Sequence, residues 1–371
     1  MKCEDLSKIF INNGLTFFSG VPDSTFKGWI SFISQNKYFK NIVAANECEA
    51  TAICAGHYLA TKKMGTLYMQ NSGLGKCVNP LTSLCDKEVY GIPMLLMIGW
   101  RGEPGKKDEP QHKKMGRITL PLLDCLEIPY KILPNNLNES EEVIREMKGL
   151  AETIGNPVAL VIRGGTIEDY DSIKKTLRKW GMSREEAIKI IVDNLSGLEA
   201  VVSTTGKISR ELSEYRVSRK ENPSDFYTVG SMGCASAIAN SIAMQKQEKK
   251  VFVFDGDGAV LMELGNLTTI GHYKTKNLYH IIFDNGSYDS TGGQPTNSDS
   301  VDFEKFAQAA GYSDVKSVKT EYELIDYMKK INEKTCPALL VVKVNLGARK
   351  DLGRPTKTPI ENKNSFMESL K

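Results

Sequence analysis

The sequence predicts an α/β protein built from two parallel sheets, each covered by helices on both faces. Short, nearly continuous apolar runs alternate with longer amphipathic stretches, the pattern of parallel strands buried on both sides. The alternation runs through two complete series separated by a polar stretch. The length, 371 residues, is that of two ordinary domains.

In the first series "NIVAAN" (41–46), "GTLYMQ" (65–70), "PMLLMIGW" (93–100) and "VALVIR" (158–163) read as strands. "EATAICAGHYLATKK" (49–63) and "SEEVIREMKGLAETIG" (140–155) carry apolar residues at helical spacing. "GGTIEDYDSIKKTLRKWGMS" (164–183) has no strand-like run, which sets domains at 1–165 and 186–371 with a linker over 166–185. The second series reads as strands at "LEAVVSTTG" (198–206), "VFVFDGDG" (251–258), "LYHIIFDN" (278–285) and "ALLVVKVN" (338–345). Helices are expected at "ASAIANSIAMQKQ" (235–247), "LGNLTTIGHYKT" (264–275) and "YELIDYMKKINEK" (322–334). The basic, Pro-containing tail "GARKDLGRPTKTPIENKNSF" (347–366) is expected to wrap over a surface.

A net charge of +3 gives no electrostatic reason to expect nucleic acid or an anionic membrane as partner. No apolar run approaches the ~18 residues of a membrane helix, and the acidic start "MKCEDLSKIF" is unlike a secretory signal. Eight cysteines without a C-x-x-C are expected as buried free thiols in a reducing cytoplasm.

Chemistry is most legible at "VFVFDGDGAV" (251–260). Right-handed connection of two parallel strands brings their carboxyl ends to one rim, the side on which open α/β sheets bind ligands. Asp257, after the first strand, and Asn285, after the next, therefore converge. A carboxylate, an amide oxygen and a loop carbonyl suit Mg²⁺, which fills its remaining positions with phosphate oxygens and water. Gly256 and Gly258 leave room for a phosphate near the backbone, and the helix that follows offers free N–H groups. Together these describe a metal-bridged diphosphate site. Asp255 could orient the Asp257 loop or line the site, and is kept as a catalytic candidate.

Two families fit this rim. The haloacid-dehalogenase phosphotransferases also place Asp-x-Asp after a buried strand, but Ala259 stands where they often have Thr and no later acidic pair is evident. The segment more closely resembles the thiamin diphosphate enzymes, whose motif is Gly-Asp-Gly, about 26 residues, then Asn. Here Gly256-Asp257-Gly258 is followed after 26 residues by Asn285. Three further stretches resemble that family: "NIVAANECEATAICAGHYLA", with Glu47 at the catalytic position; "VGSMGCASAIANSIAM", with Met232 as the apolar support of a bent cofactor; and "VVSTTGKISREL", with Thr205 and Gly206 near the phosphates.

This resemblance implies two thiamin diphosphate-binding folds, a pyrimidine-type and a pyrophosphate-type domain, without the family's middle domain. It implies thiamin diphosphate and Mg²⁺ as cofactors. Asp257, Asn285 and Ser287 would hold the metal. Glu47, Thr205, Gly206, Gly230, Ser231, Met232, Gly256, Gly258, Ala259, Asn285 and Tyr288 would contact the cofactor. Glu47 would also activate it by hydrogen bonding to the pyrimidine. Each site would lie between subunits of a homodimer or a higher dimer-based oligomer.

"FFSGVPDSTFK" (17–27), "YMQNSGLGKCVNPLTSL" (68–84), "GWRGEPGKKDEPQHKKMG" (99–116) and "GARKDLGRPTKTP" (347–359) resemble the two-domain phosphonopyruvate and sulfopyruvate decarboxylases. A fused chain points to the phosphonopyruvate branch, in phosphonate biosynthesis, forming phosphonoacetaldehyde and CO₂; the sulfopyruvate branch is the alternative. The substrate is then a small 2-oxo acid bearing a phosphonate or sulfonate. Ser24, Asn71, Asn79, Arg101, Lys106 and His112 are its candidate contacts, with His112 also a proton relay. Arg349 and Arg354 of the tail are candidates for closing the site or for a structural role.

Overall fold

The computed structural model describes residues 1–170, 180–221 and 223–371. The chain forms two compact units, Met1–Lys174 and Lys175–Lys371, with no third unit between them. The stretch 166–185 expected as a linker lies in part outside the described residues, and its ends are packed. Ile167 belongs to the first unit's core and Met182 to the second's.

The first unit has six strands, β1 (Phe17–Gly20), β2 (Lys40–Val43), β3 (Gly65–Gln70), β4 (Met94–Gly99), β5 (Tyr130–Ile132) and β6 (Val158–Ile162). All pair in parallel, in the order β2-β1-β3-β4-β6-β5. Its helices are α1 (Cys3–Asn12), α2 (Lys27–Gln35), α3 (Glu47–Thr61), α4 (Leu74–Pro80), α5 (Pro110–Cys125) and α6 (Leu137–Ile154). Successive residues of a strand face opposite sides, so Leu95 and Met97 of β4 enter one core while Met94, Leu96 and Ile98 enter another. That two-sided burial is why "PMLLMIGW" is apolar without alternation.

The second unit holds β7 (Ala200–Ser203), β8 (Ser224–Tyr227), β9 (Val251–Gly256), β10 (Leu278–Asp284), the short hairpin β11 (Ser287–Tyr288) and β12 (Gln294–Pro295), then β13 (Asp314–Val318) and β14 (Ala338–Lys343). Its parallel sheet runs β8-β7-β9-β10-β14-β13. Leaving the hairpin aside and counting each unit's strands in chain order, both sheets read 2-1-3-4-6-5. The helices are α7 (Arg184–Asp193), α8 (Lys207–Ser218), α9 (Ala235–Gln245), α10 (Asp257–Met262), α11 (Gly265–Tyr273), α12 (Phe303–Ala310), α13 (Glu321–Lys329) and α14 (Pro359–Ser369).

α14 gives the tail more order than a surface wrap. Asn362 Nδ2 donates to the Asp225 carbonyl at 2.9 Å and its Oδ1 accepts from Tyr227 N–H at 3.1 Å. Phe366, buried, meets Phe226, so the helix covers the β8 edge. Arg349 pairs with Glu185 at 3.1 Å, with Asp351 and with Glu214. That ties the tail to α7 and α8.

All eight cysteines are free thiols; Cys48 and Cys125 are exposed, Cys234 is half-buried and the rest are buried. Among the described residues no helix is long and apolar enough to cross a membrane.

Candidate active site

In an open α/β sheet the ligand crevice opens where neighbouring strands send their connections in opposite directions. In the second unit that place lies between β7 and β9, adjacent and parallel. The residues after both strands belong to the expected diphosphate site. Gly206, with φ +103°, turns the chain out of β7 and stands at the N-terminus of α8. A β-carbon on it would lie 3.0 Å from Ser290 Oγ, so the loop from the hairpin closes over this turn.

Asp257 opens α10 and is buried. Its carboxylate accepts from Thr296 Oγ1 and from the backbone N–H of Asn285. Burial, with the Asp284 charge second, pushes its acid up to about 7. Asp284 is itself fully buried, accepts from Ser298 Oγ at 3.0 Å and pairs with Lys343. Two buried carboxylates side by side favour a bound cation, and the donors present are hard oxygens, as Mg²⁺ requires.

Asn285 is held by a second network. Its Nδ2 donates to Asp289 at 3.2 Å and its Oδ1 accepts from Ser287 N–H at 2.9 Å. Asp289 pairs with buried Arg184 at 2.9 Å, and Arg184 forks Glu211 at 2.8 and 2.9 Å. Ser287 Oγ donates to the Gln294 carbonyl, so its hydroxyl serves the hairpin. The loop with Gly230, Ser231 (φ +51°) and half-buried Met232 lies against α10. There a β-carbon on Gly233 would meet Glu263 Cγ at 2.5 Å.

Two residues of this rim pack against its interior. Gly258 leaves room for the Tyr288 ring, which a β-carbon would meet at 2.7 Å, and for Thr296 at 3.2 Å. Its missing side chain therefore serves packing against the hairpin, and Ala259 beside it is buried. Asp255, the catalytic candidate that could line the site or orient the Asp257 loop, is fully buried on the face of β9 shared by Val251 and Val253. Its Oδ2 lies 3.5 Å from Nε2 of His280, on the same face of β10 in register with Val253, and His280 Nδ1 lies 3.2 Å from Tyr312 Oη. A carboxylate with no exposed surface, facing a histidine inside the sheet, supports the strand end that carries Asp257.

In the first unit the corresponding crevice lies between β1 and β3. Glu47 is the first residue of α3, buried, with Asn46 capping the helix by accepting from Glu49 N–H at 3.0 Å. Thr51 Oγ1 donates to the Glu47 carbonyl at 2.9 Å. Gly73 sits against the carboxylate: a β-carbon there would lie 2.5 Å from Glu47 Oε1.

A cleft of about 560 Å³ opens at the same rim, lined by Ser24, Arg101, Lys106, Lys107 and Asp108 among others. Asp108 organises it. The carboxylate takes Arg101 Nε at 2.9 Å and Nη2 at 2.6 Å, the N–H groups of Gly102 and Glu109 at 2.7 Å each, and His112 Nδ1 at 2.8 Å. Arg101 Nη1 donates to Ser24 Oγ at 2.9 Å. Asn71, fully buried, donates to the Arg101 carbonyl at 2.8 Å. The loop can turn back on α5 because Gly102 and Gly116 touch: a β-carbon on Gly116 would fall 1.7 Å from the Gly102 carbonyl oxygen.

Ser24, Asn71, Arg101 and His112 thus come together. Lys106 is exposed and pairs with Glu103 at 2.6 Å. Asn79 does not join them: it is exposed at the end of α4 and accepts from Ser83 Oγ. Lys27 pairs with Asp169 at 2.9 Å, while Lys107 makes no ion pair among the described residues. The loop that reads as basic is therefore largely neutralised. Sequence reasoning missed Asp108, although its place four residues before His112 on the edge of a helix was a usable signal. It also missed Asp284, which directly precedes Asn285.

Residues 4–119 match the model of the thiamine pyrophosphate enzyme N-terminal TPP binding domain, and residues 204–342 that of the C-terminal TPP binding domain. Over 364 residues the chain is 34% identical to a phosphonopyruvate decarboxylase of Streptomyces viridochromogenes, covering 94% of this chain and 89% of that one. A second phosphonopyruvate decarboxylase, from Streptomyces hygroscopicus, is 35% identical, with 96% and 90% covered. A sulfopyruvate decarboxylase of Methanosarcina acetivorans is 29% identical, with 88% and 87% covered. With a metal-type rim in one unit and a buried glutamate at a helix start in the other, the chain belongs to the thiamine pyrophosphate enzymes, in the family of the phosphonopyruvate and sulfopyruvate decarboxylases.

Proposed function

We propose that the protein decarboxylates 3-phosphonopyruvate to phosphonoacetaldehyde and CO₂, as a step of phosphonate biosynthesis in the cytoplasm. The observation that carries this reading is the similarity, along nearly the whole chain, to two phosphonopyruvate decarboxylases. Asp257, Asn285 and a loop carbonyl near Ser287 would hold Mg²⁺. The N–H groups at Gly206 and the start of α8 would meet the diphosphate, and Met232 would support the rings. When bound, thiamin diphosphate supplies the electron sink for the carbon–carbon cleavage.

This chain's residues do the rest. Glu47, held against Gly73, keeps a proton on the pyrimidine nitrogen. His112 exchanges a proton with the reacting carbons through Nε2. Because Arg101 is already forked by Asp108, the phosphonate is left to Lys107 and to N–H donors of the loop. A dimer-based assembly with sites shared by two subunits follows from the family resemblance, and sedimentation of the active enzyme tests it.

Sulfopyruvate is the second reading, supported by the relative in Methanosarcina acetivorans. CO₂ release from phosphonopyruvate, sulfopyruvate and pyruvate, measured side by side, decides between them. The expected result is a marked preference for phosphonopyruvate that requires both cofactors; a preference for sulfopyruvate overturns the substrate assignment.

A further inference from the structure

We propose that Asp108 is a positioning residue for the reaction: it fixes His112 with hydrogen on Nδ1, so that Nε2 faces the substrate as the proton-exchanging atom, and it withdraws Arg101 from substrate binding. The proposal rests on the decarboxylase reading above.

Five donors converge on this one carboxylate, three of them charged or chargeable side-chain groups on Arg101 and His112. Burial works to raise the Asp108 acid, but the hydrogen bonds from Arg101, His112 and Gly102 and the Arg101 charge hold it well below the usual carboxylate range. An ionised carboxylate only accepts hydrogen bonds. At 2.8 Å from Asp108 Oδ1, Nδ1 of His112 must therefore carry the hydrogen, and in the neutral ring the lone pair is on Nε2. Nε2 makes no hydrogen bond among the described residues. A proton taken up there is returned from the same atom, while Nδ1–H stays on Asp108 and the carboxylate remains ionised throughout.

The same contacts dispose of Arg101. Two of its nitrogens are engaged by Asp108 and the third by Ser24, a fork already filled by one carboxylate. Its charge offsets that of Asp108 and shapes the loop. The segment from Gly102 to His112 is closed on itself through the same carboxylate, so the loop and the imidazole are set as one piece.

The test uses the holoenzyme with phosphonopyruvate and three variants, Asp108→Asn, His112→Gln and the double variant. Each single change is expected to lower kcat by about 100-fold, the scale of a lost proton-transfer group, with KM changed less than about threefold. The double variant is expected to be no slower than His112→Gln, because both changes remove one function. Multiplicative losses in the double variant overturn the proposal, as does a wild-type kcat in His112→Gln. Failure of the decarboxylase reading is distinct, since the unaltered enzyme would then release no CO₂ from phosphonopyruvate. Should Asp108→Asn not fold, ¹⁵N spectra of the unaltered protein decide. The chain has four histidines, so the His112 ring is assignable by its loss in His112→Gln. A neutral ring protonated on Nδ1 supports the proposal and one protonated on Nε2 overturns it.

Discussion

The Glu47 carboxylate occupies the space that a side chain on residue 73 would need: a β-carbon on Gly73 would lie 2.5 Å from Oε1 and 2.6 Å from Cγ of Glu47. Gly73 has φ −70° and ψ −20°, which alanine also adopts, so the constraint is steric rather than conformational. Gly73→Ala is expected to fold and to lose about 100-fold in kcat, as a displacement of about 1 Å in a reacting group does. Shortening the acid in Gly73→Ala/Glu47→Asp should restore part of that loss. Steady-state CO₂ release with circular dichroism checks it; unchanged activity in Gly73→Ala would show that the glutamate is not held by this contact.

The second rim predicts a linkage between metal and stability. Thiamin diphosphate with Mg²⁺ at 100 times the dissociation constant should add about 2.7 kcal/mol to the folded state. EDTA should remove most of that gain. Asp257→Asn should lose it as well, since Asp257 is the one carboxylate among the proposed ligands. Thermal shift with and without the two cofactors reads this directly; an equal shift in Asp257→Asn would remove the carboxylate from the metal site.

His280 and Asp255 form a pair without exposed surface inside the second sheet. Replacing His280 by Leu removes the polar neighbour of Asp255 Oδ2 and leaves Tyr312 Oη without its contact, which should cost about 2–3 kcal/mol. Tyr312→Phe removes one hydrogen bond at the end of the chain of contacts and should cost only about 1 kcal/mol. Chemical denaturation separates the two; equal costs would contradict the order Asp255, His280, Tyr312.

Acid should act on the first unit through Asp108. Its acid is depressed in the folded protein, so it stabilises the fold above the ordinary carboxylate range, about pH 4. That contribution is lost as pH falls below this range toward the depressed folded value. Melting temperature against pH should therefore fall less steeply below pH 4 in Asp108→Asn than in the unaltered protein, provided both are folded at neutral pH. Parallel slopes would mean that Asp108 takes up its proton equally in the folded and unfolded chain.

Most central strands were legible because burial on both faces leaves them apolar throughout; β3 coincides with "GTLYMQ" and β10 with all but the last residue of "LYHIIFDN", while the four-residue β1 inside the first sheet was not read. Of the edge strands only β2 was, within "NIVAAN". β5 has three residues, and β8 and β13 carry Ser, Asp and Lys, as edges that resist pairing do. At the site, the spacing of Asp257 and Asn285 could be read because both follow central strands. Contacts across the sheet could not: His280 reaches Asp255 diagonally, from the position opposite Val253, and Tyr288 fills the room left by Gly258 from a hairpin 30 residues on. Lys and Arg around Arg101 read as an anion site because their acidic partners, Glu103, Asp108 and Asp169, look in sequence like loop polarity.

The shared strand order 2-1-3-4-6-5 makes the two halves interchangeable as frameworks and distinct as tools. The position after strand two holds Glu47 in one half and the Met232 loop in the other; the position after strand three holds Gly73 in one and Asp257 in the other. One wiring thus offers matching seats in each half, filled by different residues. A half-chain of this kind is a platform on which loops can differ without redrawing the core.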